Sequence, residues 1–241
     1  MNRTGDKREN QLINHHVSVD CVVFGFDENQ LKVLLIKQKK IADKPNELQE
    51  ERLALPGNLV FENESLDAAA ERVLKELTKL KGIQLKQCYA FGNPSRVKDE
   101  KDAHWLKTYR TEPEARVITI AYYAVVRMEH YQPKAGSFAE SSGWYDINNI
   151  PNLAFDHNLI VEKALEALRD ELMHHSVGFD LLPEKFTLSQ LQTIYEIILD
   201  KEIDKRNFRK LVKSFENLIA LEERQTGVNH KPAQLYTLKR G

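Results

Sequence analysis

The periodicity of apolar residues changes at one place, the segment SVGFDLLPEKFT, and this constrains the fold more than any other feature of the chain. Before it the chain alternates strand-like runs with two helical stretches. After it come two short helical stretches and a pair of short strands. One continuous sheet cannot satisfy both patterns, so two domains are expected, 12–176 and 177–241, divided where Gly178 and Pro183 interrupt regular structure.

The first domain opens with HVSVDCVVFGF and LKVLLIKQ flanking Asp27 to Gln30, which reads as a β-hairpin. A charged stretch from Lys39 to Arg52 follows as a loop, and Pro56, Gly57 and Asn58 mark a tight turn. Ser65 is placed to cap a helix over Leu66 to Leu80, with Leu66, Ala69, Ala70, Val73, Leu77 and Leu80 on its apolar side. LKQCYAFG and RVITIAYYAVV then read as strands on either side of a long charged loop, Asn93 to Ala115. An amphipathic helix from His157 to about His174 closes the domain.

With 241 residues, 41% of them hydrophobic, and a mean hydropathy of −0.51, the chain can bury a core without disulfides or a structural metal. Lys and Arg number 35 against 36 Asp and Glu, so whole-chain charge does not suggest a polyanion binder. The balance is uneven, however, with 11 basic and 8 acidic residues from Pro183 onward. Two cysteines, Cys21 and Cys88, fit a reducing compartment. The polar start MNRTGDKRENQLINH offers no signal or membrane segment, so a cytoplasmic protein with no membrane partner is expected. The histidines show no metal-ligand pattern; His174 and His175 suit a helix end. Trp105 or Trp144 would serve to stack a ligand, though Trp144 reads better as packing.

In the second domain Leu188, Leu191, Ile194, Tyr195 and Ile198 recur at helical spacing. A second helix starts at Asp204 as N-cap and carries Phe208, Leu211, Val212, Phe215 and Leu218 on one stripe. On that helix Arg206, Arg209, Lys210 and Lys213 lie opposite the aromatic stripe. Together with Lys205 and Asn207 they are the residue types that hold phosphates and read base edges. The helix N-terminus is also expected to favour a phosphate. IALEERQTGVNHKPAQLYTL reads as a wing with Lys231 near its tip, completing a winged helix-turn-helix. A basic face of this kind is also compatible with plain solvation.

The stretch LPGNLVFENESLDAAAERVLKELTKL resembles a Nudix box, G-x5-E-x7-R-E-U-x-E-E-x-G-U with U apolar. Glu64, Arg72, Leu74, Glu76 and Leu80 are in place, and Asn58, Val73, Leu77 and Lys79 depart from it. The flanking strand segments resemble Nudix domains in the same order, and the tail GFDLLPEKFTLSQLQTIYEIILDKEIDKRNFRKLV resembles that of the Nudix-related transcriptional regulators. The resemblance implies an α/β/α sandwich, the Nudix fold, followed by a winged helix-turn-helix.

In functional terms it implies a DNA-binding regulator, usually a homodimer, whose sensor domain takes a sugar or nucleotide-sugar effector. ADP-ribose and L-arabinose are the precedents, and the box looks closer to the sugar-responsive branch. A Nudix helix gathers glutamates at 73, 76 and 77 for Mg²⁺ or Mn²⁺. Here only Glu76 remains, so no catalytic residue, metal site or cofactor is expected. Arg96, Arg116 and Glu64 are the candidate effector contacts, and in the family the Val97 to Ala115 stretch is short. Three alternatives stay open. The box can be read as a plain amphipathic helix with solvated Glu64, Arg72 and Glu76; the chain as an active Nudix hydrolase using Mg²⁺ or Mn²⁺; or the chain as a ligand-binding scaffold that touches no DNA.

Overall fold

A computed structural model describes residues 12–27, 30–38, 52–96, 99–174, 181–229 and 231–239. Its centre is the long strand β1 (Ile13–Asp27). β1 pairs antiparallel with β2 (Gln30–Gln38), Phe24 opposite Val33, which is the expected hairpin, its two tip residues lying outside the described residues. It runs parallel to β6 (Ile118–Arg127) from Val17↔Ile118 to Phe26↔Arg127. β3 (Leu53–Ala54) and β5 (Lys86–Phe91) stand at the two ends of the order β3-β2-β1-β6-β5, while β4 (Gly57–Phe61) pairs with β1 and β7 (Ala139–Asp146) with β2.

Alternation along these strands divides the core into two. Val19, Cys21 and Val23 of β1 face one side, with Leu34 and Ile36 of β2, and are covered by α1 (Leu66–Thr78) through Ala69, Ala70, Val73 and Leu77. Val22, Phe24 and Phe26 face the other, with Val33 and Leu35, and are covered by α3 (His157–His174) through Ile160, Ala164 and Leu168. The result is a helix–sheet–helix sandwich. Ser65 caps α1 as expected, accepting from the Ala68 N–H at 3.2 Å. The helix ends at Thr78 rather than Leu80, because Lys79 turns left-handed at φ 62°. The tight turn falls one residue early, since Gly57 already belongs to β4. A Cβ at Gly57 would meet Asp20 Oδ1 at 1.7 Å, which is why glycine stands there.

The long charged stretch is not all loop. It carries α2 (Glu100–Tyr109), capped by Asp99, whose carboxylate accepts from the Lys101 N–H at 2.8 Å. Glu100, Lys101, Asp102 and Lys107, charges of both signs around Trp105, Leu106 and Tyr109, conceal its short apolar face.

Beyond α3 the apolar cluster continues without interruption through Leu172, Leu181 and Phe186 into α4 (Leu188–Leu199) and α5 (Lys205–Val212). Thr187 and Gln190 form a reciprocal capping box at the start of α4. Asp204 caps α5, which stops at Val212, so Phe215 lies past its end and Leu218 opens β8 (Leu218–Arg224). β8 and β9 (Gln234–Leu238) pair antiparallel as the wing, tied back by Phe186↔Tyr236. The expected boundary at 176/177, and His175 with it, lies outside the described residues, as do Lys39 to Glu51 of the charged loop.

Tyr195, fully buried between Phe208 and Phe215, leaves its hydroxyl without a hydrogen-bond partner among the described residues, and burial pushes the phenol up to about 12. An unmatched buried hydroxyl is a net cost. Tyr195→Phe is expected to leave the fold intact and raise stability by up to about 1 kcal/mol in urea unfolding. A loss of stability would mean that the hydroxyl has a role in holding the helices.

Candidate functional sites: a cleft on the sheet and a basic helix

A cavity of about 570 Å³ opens beside the β1/β6 pair, with α2 forming one wall. Its floor holds a buried pair of titratable groups. Asp20 lies 5% exposed with its Oδ2 3.7 Å from Nε2 of His157, the first residue of α3. The Leu55 N–H donates to His157 Nδ1 at 2.9 Å, which places the proton of the neutral ring on Nε2, facing Asp20. Burial raises Asp20 above the usual carboxylate range, against the pull of His157 and Arg96. Burial lowers His157, against the pull of Asp20 and Asp156.

Arg96 and Arg116, expected as effector contacts on either side of the charged stretch, both line the cavity. Arg96 is engaged already: it donates to both Asp156 oxygens at 2.7 Å, to the Phe91 carbonyl at 3.2 Å and to Thr119 Oγ1. It therefore braces the turn into α3. Arg116 donates one guanidinium N–H to the Gly92 carbonyl at 2.9 Å and is exposed. Glu64 is not brought to them. It accepts from the Phe61 N–H at 2.8 Å and from Arg72 at 2.5 to 3.2 Å. Partial burial pushes the Glu64 carboxyl up, but the bonds from Arg72 and Phe61 outweigh this and hold it below the usual range.

Arg72 also lies over the Phe61 ring at 3.9 Å and reaches Glu76 at 3.3 Å. The three charges of the box are thus a brace for the helix. Val73 and Leu77, at 0% and 1% exposure, belong to the core under α1. The residues present therefore do not fit a divalent ion, and no cluster of three His, Cys, Asp or Glu able to hold one occurs among the described residues. The closing glycine position retains its left-handed geometry with Lys79, whose Nζ donates to the Glu76 carbonyl at 3.3 Å.

Sequence reasoning missed Asp20, His157 and Arg110 as cleft residues, whereas Trp105, expected to serve in stacking a ligand, does line the cleft. For the first two the signal was a lone charge inside an apolar run and a histidine at a helix start, which gain meaning only when paired. Trp105 stacks on Tyr109 at 4.7 Å and meets Phe138 and Phe155 edge-on, forming an aromatic side of the cleft. Trp144 instead packs in the core, its ring against Gly25.

The second site is α5. Lys205, Arg206, Asn207, Arg209 and Lys210 are exposed along it and Lys213 stands exposed at its end, while Phe208 (1% exposed) packs on Tyr195 at 5.4 Å. None of the six is in an ion pair among the described residues. Asp204 already accepts the Arg206 and Asn207 N–H groups, at 3.0 and 2.9 Å, so the helix N-terminus does not keep those amides for a phosphate. Lys231 is exposed on the wing.

Residues 14–167 match the NUDIX domain, and residues 178–238 match the NrtR DNA-binding winged helix domain. The ADPR responsive transcriptional repressor NtrR of Acinetobacter baylyi is 31% identical over 225 residues, 91% of this chain and 80% of its own length. The chain belongs to the NrtR group of Nudix-related transcriptional regulators. The crystal structure of Shewanella oneidensis NrtR complexed with a 27mer DNA superposes with a TM-score of 0.65 at 28% identity, covering 92% of this chain and 93% of that one. An ADP-ribose pyrophosphatase of Methanocaldococcus jannaschii is 28% identical over 156 residues, 65% of this chain and 79% of its own. Like the regulators of this group, the chain is a DNA-binding transcriptional regulator with a Nudix domain ahead of a winged helix. No helix among the described residues is long and apolar enough to cross a membrane.

The buried pair makes a pH prediction. Because the folded chain resists protonating His157, the unfolded chain binds the extra proton, so the histidine's contribution to stability falls as pH drops below about 6.5. Asp20, raised by burial, runs the other way: its contribution is full below the ordinary carboxylate range and is lost as pH rises through its folded value. His157→Asn, which keeps an acceptor for the Leu55 N–H, isolates the first effect. Urea unfolding between about pH 7.5 and 5.5 is expected to show a shallower acid loss for the variant than for the parent. Parallel profiles would show that His157 does not titrate there.

Proposed function

We propose that this chain is an ADP-ribose-responsive transcriptional repressor acting as a cytoplasmic homodimer. The Nudix cleft binds the nucleotide sugar, and Arg206, Asn207, Arg209, Lys210 and Lys213 of α5, with Lys205 and Lys231, contact the operator. One observation carries the reading: a basic face of α5, free of ion pairs among the described residues, stands opposite a buried aromatic face, on a helix pair whose core continues into the sensor domain. The 31% identical ADPR responsive repressor supports ADP-ribose over L-arabinose as the effector. Domains 12–176 and 177–241 then divide sensing from reading.

Control runs along α3. Its first residue lines the cleft, and the turn before it is held by Arg96 through Asp156. At its other end Arg169 donates to the Ile198 carbonyl at the end of α4 at 2.8 Å, and Leu168 and Leu172 sit in the apolar cluster of α4 and α5. An 18-residue helix spans about 27 Å, so a tilt set by effector at one end alters the position of α5 at the other, and with it the spacing of two recognition helices on a palindrome. Arg116 is the cleft arginine that contacts effector directly, whereas Glu64 serves the box helix. No cofactor takes part in this scheme, and the apolar Val73 and Leu77 leave α1 without the carboxylates that hydrolysis needs.

Selection of bound fragments from the protein's own genome at near-physiological salt tests the reading. The parent is expected to enrich one palindromic site and release it on addition of ADP-ribose. Arg206→Ala and Arg209→Ala are each expected to weaken operator binding and to flatten its salt dependence by about one unit of slope for each phosphate no longer neutralised, with melting temperature unchanged. No enrichment, together with Mg²⁺- or Mn²⁺-dependent turnover of ADP-ribose that Glu76→Gln abolishes, would replace the regulator with a hydrolase.

A further inference from the structure

Helix α2 occupies a stretch that the sequence alone reads as a charged loop, and its placement is specific. Asp102, 2% exposed, pairs with Arg52 ahead of β3 and accepts the Phe155 N–H at 3.0 Å ahead of α3. The helix is thereby anchored at both rims of the cleft, with Trp105, Tyr109 and the following Arg110 presented to the cavity.

Two of these groups lack partners. The Trp105 indole N–H is buried with no acceptor among the described residues. The Arg110 guanidinium makes no hydrogen bond or ion pair among them; it faces Asp20 and Arg96 at longer range, and its burial disfavours the charged form. The cleft's other arginines contrast with it: Arg96 is held by Asp156, and Arg116 by the Gly92 carbonyl. A cation withdrawn from water beside an aromatic wall gains most from an anion attached to a planar ring.

We infer that α2 is an effector-reading helix, in which Arg110 takes a phosphate oxygen of a nucleoside diphosphate and Trp105 supplies the wall for its ring-bearing end. The inference rests on the cleft being a nucleotide-sugar site. It also divides the labour of the arginines: Arg96 sets the turn into α3, and Arg110 senses the charge of the ligand. An unmatched indole donor adds to the preference for a ligand carrying ring acceptors.

Calorimetry of the full chain with ADP-ribose, AMP, inorganic pyrophosphate and L-arabinose tests this, using Arg110→Ala, Arg110→Lys and, as a control on the outer face of α2, Lys107→Ala. Arg110→Ala is expected to weaken ADP-ribose and AMP about tenfold to a hundredfold, the effect of losing one charge-assisted hydrogen bond. Arg110→Lys should recover part of the loss, and Lys107→Ala should bind as the parent does. Trp144→Phe leaves Trp105 as the lone tryptophan of the chain, and its emission is expected to shift on ADP-ribose binding. If the parent binds ADP-ribose while both Arg110 variants bind equally well and Trp105 emission stays put, α2 is not the reader and the cleft assignment survives. Binding of AMP or pyrophosphate but not ADP-ribose, abolished in Arg110→Ala, would overturn the ADP-ribose reading and keep α2. Binding of L-arabinose alone, or of none of the four, overturns both. Thermal melting identifies any variant that fails to fold, in which case Arg110→Lys carries the comparison.

Discussion

Helix α3 is buried on two fronts at once, against the sheet through Ile160, Ala164 and Leu168, and against the winged helix through Leu168 and Leu172. A helix built into one apolar cluster with the sheet on one side and α4 and α5 on the other cannot shift against either without disturbing the other, because close-packed interiors resist gradual deformation. Each end of α3 also carries a polar tie, Asp156 to Arg96 at its start and Arg169 to the Ile198 carbonyl near its end. In the proposed scheme α3 joins sensor and reader as a rod, through which a small-molecule site would act on a helix outside the cleft.

The cleft has its own electrostatic logic. Asp20 and His157 withdraw into the floor, where burial works against each one's charged form and each favours the other's. Arg96 and Asp156 neutralise one another at the rim. Arg110, Arg116 and Trp105 also line the cavity, where Glu114 is paired with Lys107 at 3.8 Å, and basic groups beside an aromatic wall suit a phosphorylated ring compound. Steric closeness shapes the same floor, since Gly57 is the residue that lets β4 pass beside the Asp20 carboxylate.

Local signals carried much of this far. The hairpin of β1 and β2, the Ser65 and Asp204 caps, and the opposed faces of α5 are all short-range patterns, and short-range patterns survive folding. Features that depend on distant partners were not legible. Arg96 looks like a free cation until Asp156, far along the chain, closes on it. The apolar side of α2 spans too few residues to stand out from its charges, and Phe138 and Phe155, which complete it, come from other segments. Glu64 was placed near the effector by its position in the box, yet its geometry is governed by Arg72 and the Phe61 amide.

Val73 and Leu77, at 0% and 1% exposure, hold the centre of the apolar layer beneath α1, and this has a historical consequence. Restoring either glutamate singly would place an unpaired carboxylate in that layer, at a cost of several kcal/mol, comparable to the whole stability of a domain. The benefit of metal chemistry would arrive only once both were present and the layer had been rebuilt around them. Descendants of this chain can therefore change what they sense by altering the wall of the cleft, but the carboxylates of a metal-binding α1 cannot be regained one substitution at a time.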